Sequence, residues 1–228
     1  MDRPRLPRPT LKRNSPFTRG RVTLLLVVAG ALSVFLGLVL LRSSGDLDRA
    51  LAPSPEDLPI SAFSPSLPQA LNAFEDPRFG RTAFASGLAQ ALASQLVSDQ
   101  RGAVAAFKRT TFAFLLKIRY PRDEILTHYL NRACLGSAGN TPICGFQKAA
   151  DFYFGIPVEN LNLGEALLLC DLAWSPKKPA LLGDLSTALK TRNRLLARLR
   201  DIGRLSRAEY ETEVARPLSP ASDHRPIW

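Results

Sequence analysis

Metal-ligating side chains are scarce in this sequence: it has two histidines and three cysteines in 228 residues, with no cluster at metal-ligand spacing. No metal site is expected from such a pattern. A glycine-rich loop shaped to cradle a phosphate is also missing, which excludes the nucleotide-binding folds that depend on one. No stretch alternates apolar and polar residues long enough to suggest a strand, and no internal repeat is visible, so an all-β fold and a repeat array are excluded. Acidic residues number 20 against 30 basic ones, a formal net charge of +10. That excess looks like a nucleic-acid footprint until it is located along the chain. Residues 1–21 hold seven basic residues against Asp2 alone, a net of +6, and the rest of the chain carries only +4. Charge confined to one tail gives no reason to expect a nucleic-acid partner.

Charge disappears altogether from Val22 to Leu41, and those 20 residues are about the length that crosses a bilayer as a helix. Basic residues are retained on the cytoplasmic side, so the tail should lie inside and everything after Arg42 outside. A cleaved signal peptide is the rival reading, because Ala50-Leu51-Ala52 has the small-residue pattern of a cleavage site. Cleavable apolar regions are about 7–15 residues long, which favours an uncleaved anchor. Outside a membrane, three cysteines are an odd count for an oxidising compartment. Cys134 and Cys144 flank a segment rich in Gly, Ser, Asn and Pro and are candidates for a disulfide. Cys170, within the apolar run Ala166 to Ala173, reads as a buried small hydrophobe.

Five prolines between Pro53 and Pro68 argue against a regular helix or central strand and suggest a stiff spacer. From Gln69 onward the pattern is helical. Phe107, Thr111, Phe114, Leu115 and Ile118 recur as one face of a helix, with Lys117 at its edge. A second helix is predicted from Pro121 to about Arg132, with Asp123 and Glu124 in its first turn, where the helix dipole favours them. A third runs from Phe146 to Tyr153 and stops at Gly155. Leu163 to Trp174 is apolar nearly all round, as a buried central helix should be. Leu185 to Ile202 is amphipathic, and Ser206 with Glu209 has the spacing of a capping box for a last helix ending near Ala215.

The chemistry sits in Ala73-Phe74-Glu75-Asp76-Pro77-Arg78-Phe79, a carboxylate pair beside aromatics. Together with Asp123-Glu124-Ile125-Leu126, then Leu130-Asn131, Gly136, Gly145-Phe146-Gln147-Lys148-Ala149-Ala150, Leu161-Asn162-Leu163-Gly164-Glu165-Ala166 and Arg192-Asn193-Arg194, it resembles the family-51 glycosyltransferases. These are the peptidoglycan transglycosylase domains of penicillin-binding proteins and their monofunctional relatives. The resemblance covers roughly residues 67–215. It implies a mainly α, lysozyme-like helical domain on a single N-terminal transmembrane helix, acting on lipid II outside a bacterial cytoplasmic (inner) membrane. The expected organisation is a basic cytoplasmic tail at 1–21, the transmembrane helix at 22–41, a Pro-rich linker at 42–66, the transglycosylase-like domain at 67–216 and a loose tail at 217–228.

In the mechanism that the resemblance implies, a Glu removes the proton of an acceptor hydroxyl as that oxygen attacks the anomeric carbon of a lipid-pyrophosphate donor. Glu75, followed by Asp76, matches this base. Basic side chains and a divalent cation near a second Glu would offset the charge on the departing pyrophosphate. That second Glu falls at Lys117, so the expected cation has lost its ligand position. The preceding basic motif falls at Ala105, Ala106 and Arg109, and a Ser-Thr block survives only around Gln95. Lys117 either lays its stem along the apolar face, contacts a pyrophosphate, or pairs with Glu75 and weakens it as a base. Lys108 and Arg109, beside Phe107 and Phe112, are either a solvated edge or a contact for lipid headgroups. Gln95, Lys108, Arg109 and Lys117 are therefore the substrate-binding candidates. Lipid II or glycan strands, the membrane and other cell-wall synthesis proteins are the expected partners. Two functions follow: a glycosyltransferase with an eroded donor site, or an inactive relative that binds lipid II or glycan as a scaffold. A lysozyme-like hydrolase using Glu75 as acid is a third.

Overall fold

The computed structural model describes residues 28, 42–76, 87–98, 100–174 and 184–218. The chain divides into two compact units, residues 1–45 and 46–228, and every element below belongs to the second. Among the described residues no helix is long and apolar enough to cross a membrane. The expected span, Val22 to Leu41, lies outside them apart from Val28.

The second unit is built from helices α1 (Ser66–Glu75), α2 (Leu88–Leu96), α3 (Ala103–Arg119) and α4 (Arg122–Arg132). A hairpin of β1 (Cys134–Ala138) and β2 (Thr141–Cys144) follows, and then α5 (Phe146–Phe154), α6 (Leu163–Trp174), α7 (Leu185–Asp201) and α8 (Arg207–Ala215). α6 is the axis of the fold. Every residue from Leu163 to Ala173 is buried, because α1, α5, α7, α8 and β1 pack around it. α2 lies between α3 and α4. The predicted boundaries of α4, α5, α7 and α8 fall within one or two residues of those observed. Their ends are set by local chemistry: Gly155 in the left-handed conformation ends α5, and Ser206 and Glu209 form a complete capping box on α8.

Four regions differ from the sequence expectation. The stretch read as a linker contributes Leu47, Leu51 and Phe63 to the core, and α1 begins inside its proline-rich end. Prolines exclude a long regular helix but not compact packing, since side chains of α4 bind the linker's backbone. Asn131 accepts from the Leu58 N–H and donates to the Leu58 carbonyl, both at 2.9 Å. Arg132 donates to the carbonyls of Leu51 and Ala52 and to Asp57. Backbone groups that would otherwise need water are thereby satisfied.

The hairpin was absent from the sequence reading. It pairs Cys134 with Cys144 and Ala138 with Thr141, a ladder too short to produce a period-two signal. A disulfide joins Cys134 to Cys144, while Cys170 is free and buried. In α3 the buried face is rotated from the expected one. Thr111 and Leu115 are buried with Ala105, Phe112, Ala113 and Leu116, but Phe107, Phe114 and Ile118 are exposed. An apolar arc this wide fits a core-facing stripe in more than one rotation, so periodicity alone chose the wrong edge. Finally, Leu218, assigned to the loose tail, packs on the core.

Candidate functional site

Glu75 is the last residue of α1, where Asp76 leaves the helix with extended backbone. Its side chain is 22% exposed, open enough to meet a solute and fixed by two neighbours. One oxygen accepts from the Leu88 N–H at 2.8 Å, using a donor that helix α2 leaves unpaired at its first turn. The other oxygen is in an ion pair with Arg122, which also donates to Asn72 at 2.5 Å. Phe74, 1% exposed, stacks on Trp174 with ring centroids 5.7 Å apart and anchors the end of α1 to α6.

Gly87 makes this arrangement possible. Its backbone, at φ 81° and ψ 174°, lies in a region that only glycine occupies without strain. Space is not the constraint, since a Cβ there would lie 3.8 Å from the nearest Glu75 oxygen. Gly87→Ala is expected to cost about 1–3 kcal/mol from backbone strain alone. The urea midpoint of the variant, measured against the native chain, checks this.

Asp76 serves a different end. Its side chain is only 6% exposed and pairs with Arg204 at 3.4 Å, tying α1 to the turn between α7 and α8. The remaining sequence candidates do not gather around Glu75. Lys117 is exposed and forms no ion pair with it; among the described residues the cation paired with Glu75 is Arg122. Lys108 pairs with Asp46 at 3.6 Å and lies over the Phe112 ring at 5.3 Å. Arg109 is half-buried on the same helix. Gln95 accepts from the Cys134 N–H at 3.4 Å, joining α2 to the disulfide hairpin. His128, read as structural, is half-buried edge-on to Tyr120, and burial and Arg132 push its pKa down.

Arg122, Asn72 and Arg204 were missed by sequence reasoning. One signal was available for Arg122. It is the first residue of α4, where the helix dipole disfavours a cation, so a carboxylate partner nearby should have been sought.

The donor set does not fit the divalent cation that the family resemblance implies. At the position of the expected carboxylate ligand stands Lys117, a cation. No group of three or more His, Cys, Asp or Glu side chains that could hold a metal occurs among the described residues.

Cavities do not single out this site. The larger, about 1110 Å³, lies between the 50–58 segment and α4 to α5, and includes neither Glu75 nor Lys117. It is an open groove over the packed linker, whose adjacent carboxylates Glu56 and Asp57 are ion-paired with Lys148 and Arg132, so the motif geometry is the better guide. A second, about 240 Å³, is lined by Gln90, Ser94 and Gln95 of α2 with Tyr129 and Trp174. Trp174 is the ring on which Phe74 stacks, so this smaller cavity borders the anchored end of α1.

Comparison with known proteins supports the family resemblance, over a stretch that begins after the Glu75 motif. The sequence model of the transglycosylase family matches residues 80–200. Penicillin-binding protein 1B of Escherichia coli is 33% identical over 141 residues, which is 59% of this chain and 16% of that protein. Penicillin-binding protein 1A of Aquifex aeolicus is 30% identical over 141 residues, 61% of this chain and 19% of the relative. The chain thus spans less than a fifth of the length of these relatives. A Cupriavidus necator protein with a provisional transglycosylase name is 27% identical over 226 residues, 87% of this chain and 95% of its own length.

Proposed function

We propose, from the premise that the chain belongs to the transglycosylase family, that it acts on lipid II in the synthesis of cell-wall glycan strands, with Glu75 as general base. The reaction would take place at the outer face of a bacterial cytoplasmic membrane. The observation that carries this reading is the Glu75 carboxylate itself. It stands partly open at the end of an anchored helix, with one oxygen fixed by the Leu88 N–H. A base held in one position can take the acceptor hydroxyl proton as the new glycosidic bond forms. Electrons of the breaking bond leave with the lipid pyrophosphate.

One observation favours a second reading, in which the protein binds lipid II or glycan as a scaffold without turnover. Arg122 already occupies the Glu75 carboxylate, and Lys117 replaces the second carboxylate. A group that must accept a proton then competes with a guanidinium for the same oxygen.

The two readings separate in one assay. The full chain, reconstituted in vesicles, is given labelled lipid II, and products are resolved by length. Polymer supports the transferase. Retention of unpolymerised lipid II by the protein supports the scaffold. Fragments released from preformed glycan strands would overturn both and indicate hydrolysis.

A further inference from the structure

The Cys134–Cys144 disulfide touches both of the cavities described above. Cys144 lines the larger groove. The Cys134 N–H donates to the Oε1 of Gln95, which lines the smaller cavity with Tyr129 and Trp174. Both bonded cysteines are only half-buried, and the groove beside Cys144, about 1110 Å³, has room for a solute. The third cysteine, Cys170, is free but fully buried.

The hairpin needs the bond for its register. Cys134 faces Cys144, but the next pair is Gly136 with Ile143, so Leu135 has no partner across the ladder. Such a bulge sets two residues of one strand against one of the other, and a two-stranded ladder is at best marginally stable in water. On either side of Cys134 the backbone is held through carbonyls. Ala133 accepts from the Gly145 N–H at 2.8 Å, and Leu135 from the Tyr153 hydroxyl at 3.2 Å. The N–H of Cys134 meets Gln95 at 3.4 Å, beyond the usual range for an N–H donor. That bond is too long to fix the strand unaided. The covalent link to Cys144 supplies the missing constraint and sets where Cys134 meets α2.

We propose that this disulfide is a reducible site, opened by a dithiol that enters the groove beside Cys144, and that opening it releases Gln95 and loosens the wall of the small cavity. The exchange balances without a further reactant. One thiolate of the dithiol attacks the Cys144 sulfur, the S–S bond breaks, and Cys134 leaves with the electron pair and takes up a proton. The second thiolate attacks the dithiol's own sulfur in the mixed disulfide, so Cys144 leaves in turn and is protonated. Two cysteine thiols are formed, and the dithiol is oxidised to a disulfide. Trp174, in the cavity wall, is the ring that anchors Phe74, so the redox state of the hairpin reaches the end of α1 that carries Glu75. The inference goes beyond the proposed reaction, because it holds whether or not Glu75 turns over substrate.

The test uses the full chain reconstituted in vesicles, with Trp228→Phe so that Trp174 is the only tryptophan. Dithiothreitol is added without denaturant, free thiols are alkylated, and the alkylated cysteines are located by mass. Alkylation is expected at Cys134 and Cys144 but not at Cys170. The emission maximum of Trp174 should move to longer wavelength as water reaches the cavity, with the helical circular dichroism retained, and reoxidation should reverse the shift. Gln95→Ala in the oxidised chain should give the same shift, and reducing that variant should add nothing to it. A disulfide that resists dithiothreitol until urea is added overturns the proposal, as does a reduced chain with native Trp174 emission. Additive shifts from reduction and from Gln95→Ala would also overturn it, since the two would then act separately. Loss of helix on reduction would make the disulfide a stability element only and reject the proposal as well.

Discussion

Glu75→Gln is expected to lower the rate of lipid II polymerisation by about 10²–10⁴-fold while leaving the fold and lipid II binding intact. The range is that for removing one positioned general base. The substitution isolates the proton-accepting role because little else changes. The amide oxygen can still accept from the Leu88 N–H, which lies 2.8 Å from the native carboxylate. Arg122 loses its counter-charge, but its side chain is 49% exposed and keeps Asn72 as an acceptor. Exposed ion pairs contribute about 0–1 kcal/mol, so the urea midpoint should barely move. Single-turnover rates with bound lipid II give the chemical step apart from binding. A rate within twofold of the native chain, with the midpoint unchanged, would remove Glu75 from the mechanism. Asp76 is no substitute, since its side chain is only 6% exposed and is tied to Arg204.

The same contrast shows what could be read without coordinates. Helices α4, α5, α7 and α8 were legible because their ends carry local signals: Pro121, Gly155, and the Ser206–Glu209 box. The central helix α6 was legible because its residues from Leu163 to Ala173 are apolar apart from Glu165 and Asp171, and at its start Asn162 and Glu165 satisfy each other, at 2.9 Å in both directions. The hairpin and the packed linker were not legible. Their stability comes from contacts far apart in sequence, such as Asn131 with Leu58 and Arg132 with Asp57, which no window of neighbours contains. The site divides along the same line. Glu75 is found by motif, whereas its partner Arg122 is 47 residues away and comes to it only because α2 and α4 pack together. Lys117 was conspicuous as a departure from the family pattern, yet it forms no ion pair with Glu75. A substitution at a motif position identifies what is lost there, but not which residue takes over the electrostatics.

Phe74→Ala should have the largest effect on stability, and it should also displace the site. Phe74 is among the largest side chains that are fully buried, at 1% exposed. Truncating such a ring costs about 3–5 kcal/mol, from lost transfer energy together with the cavity left behind. The site relaxes poorly, because the cavity would open between α1 and the fully buried α6, with the Trp174 ring losing its stacked partner. For a domain stabilised by about 5–15 kcal/mol in total, that is a large shift in the urea midpoint. Phe74→Leu retains most of the volume and should recover more than half of the loss. Function should follow position rather than stability alone. Glu75 is the next residue, at the last turn of α1, and Phe74 is what holds that turn against α6. A displacement near 1 Å at a reacting group can cost on the order of 10²-fold in rate. Rates measured well below the midpoint of each variant should therefore fall in the order native, Phe74→Leu, Phe74→Ala. If Phe74→Ala is fully folded at the assay temperature and polymerises at the native rate, the stacked pair is a stability element only, and the position of Glu75 must be fixed by Leu88 and Arg122.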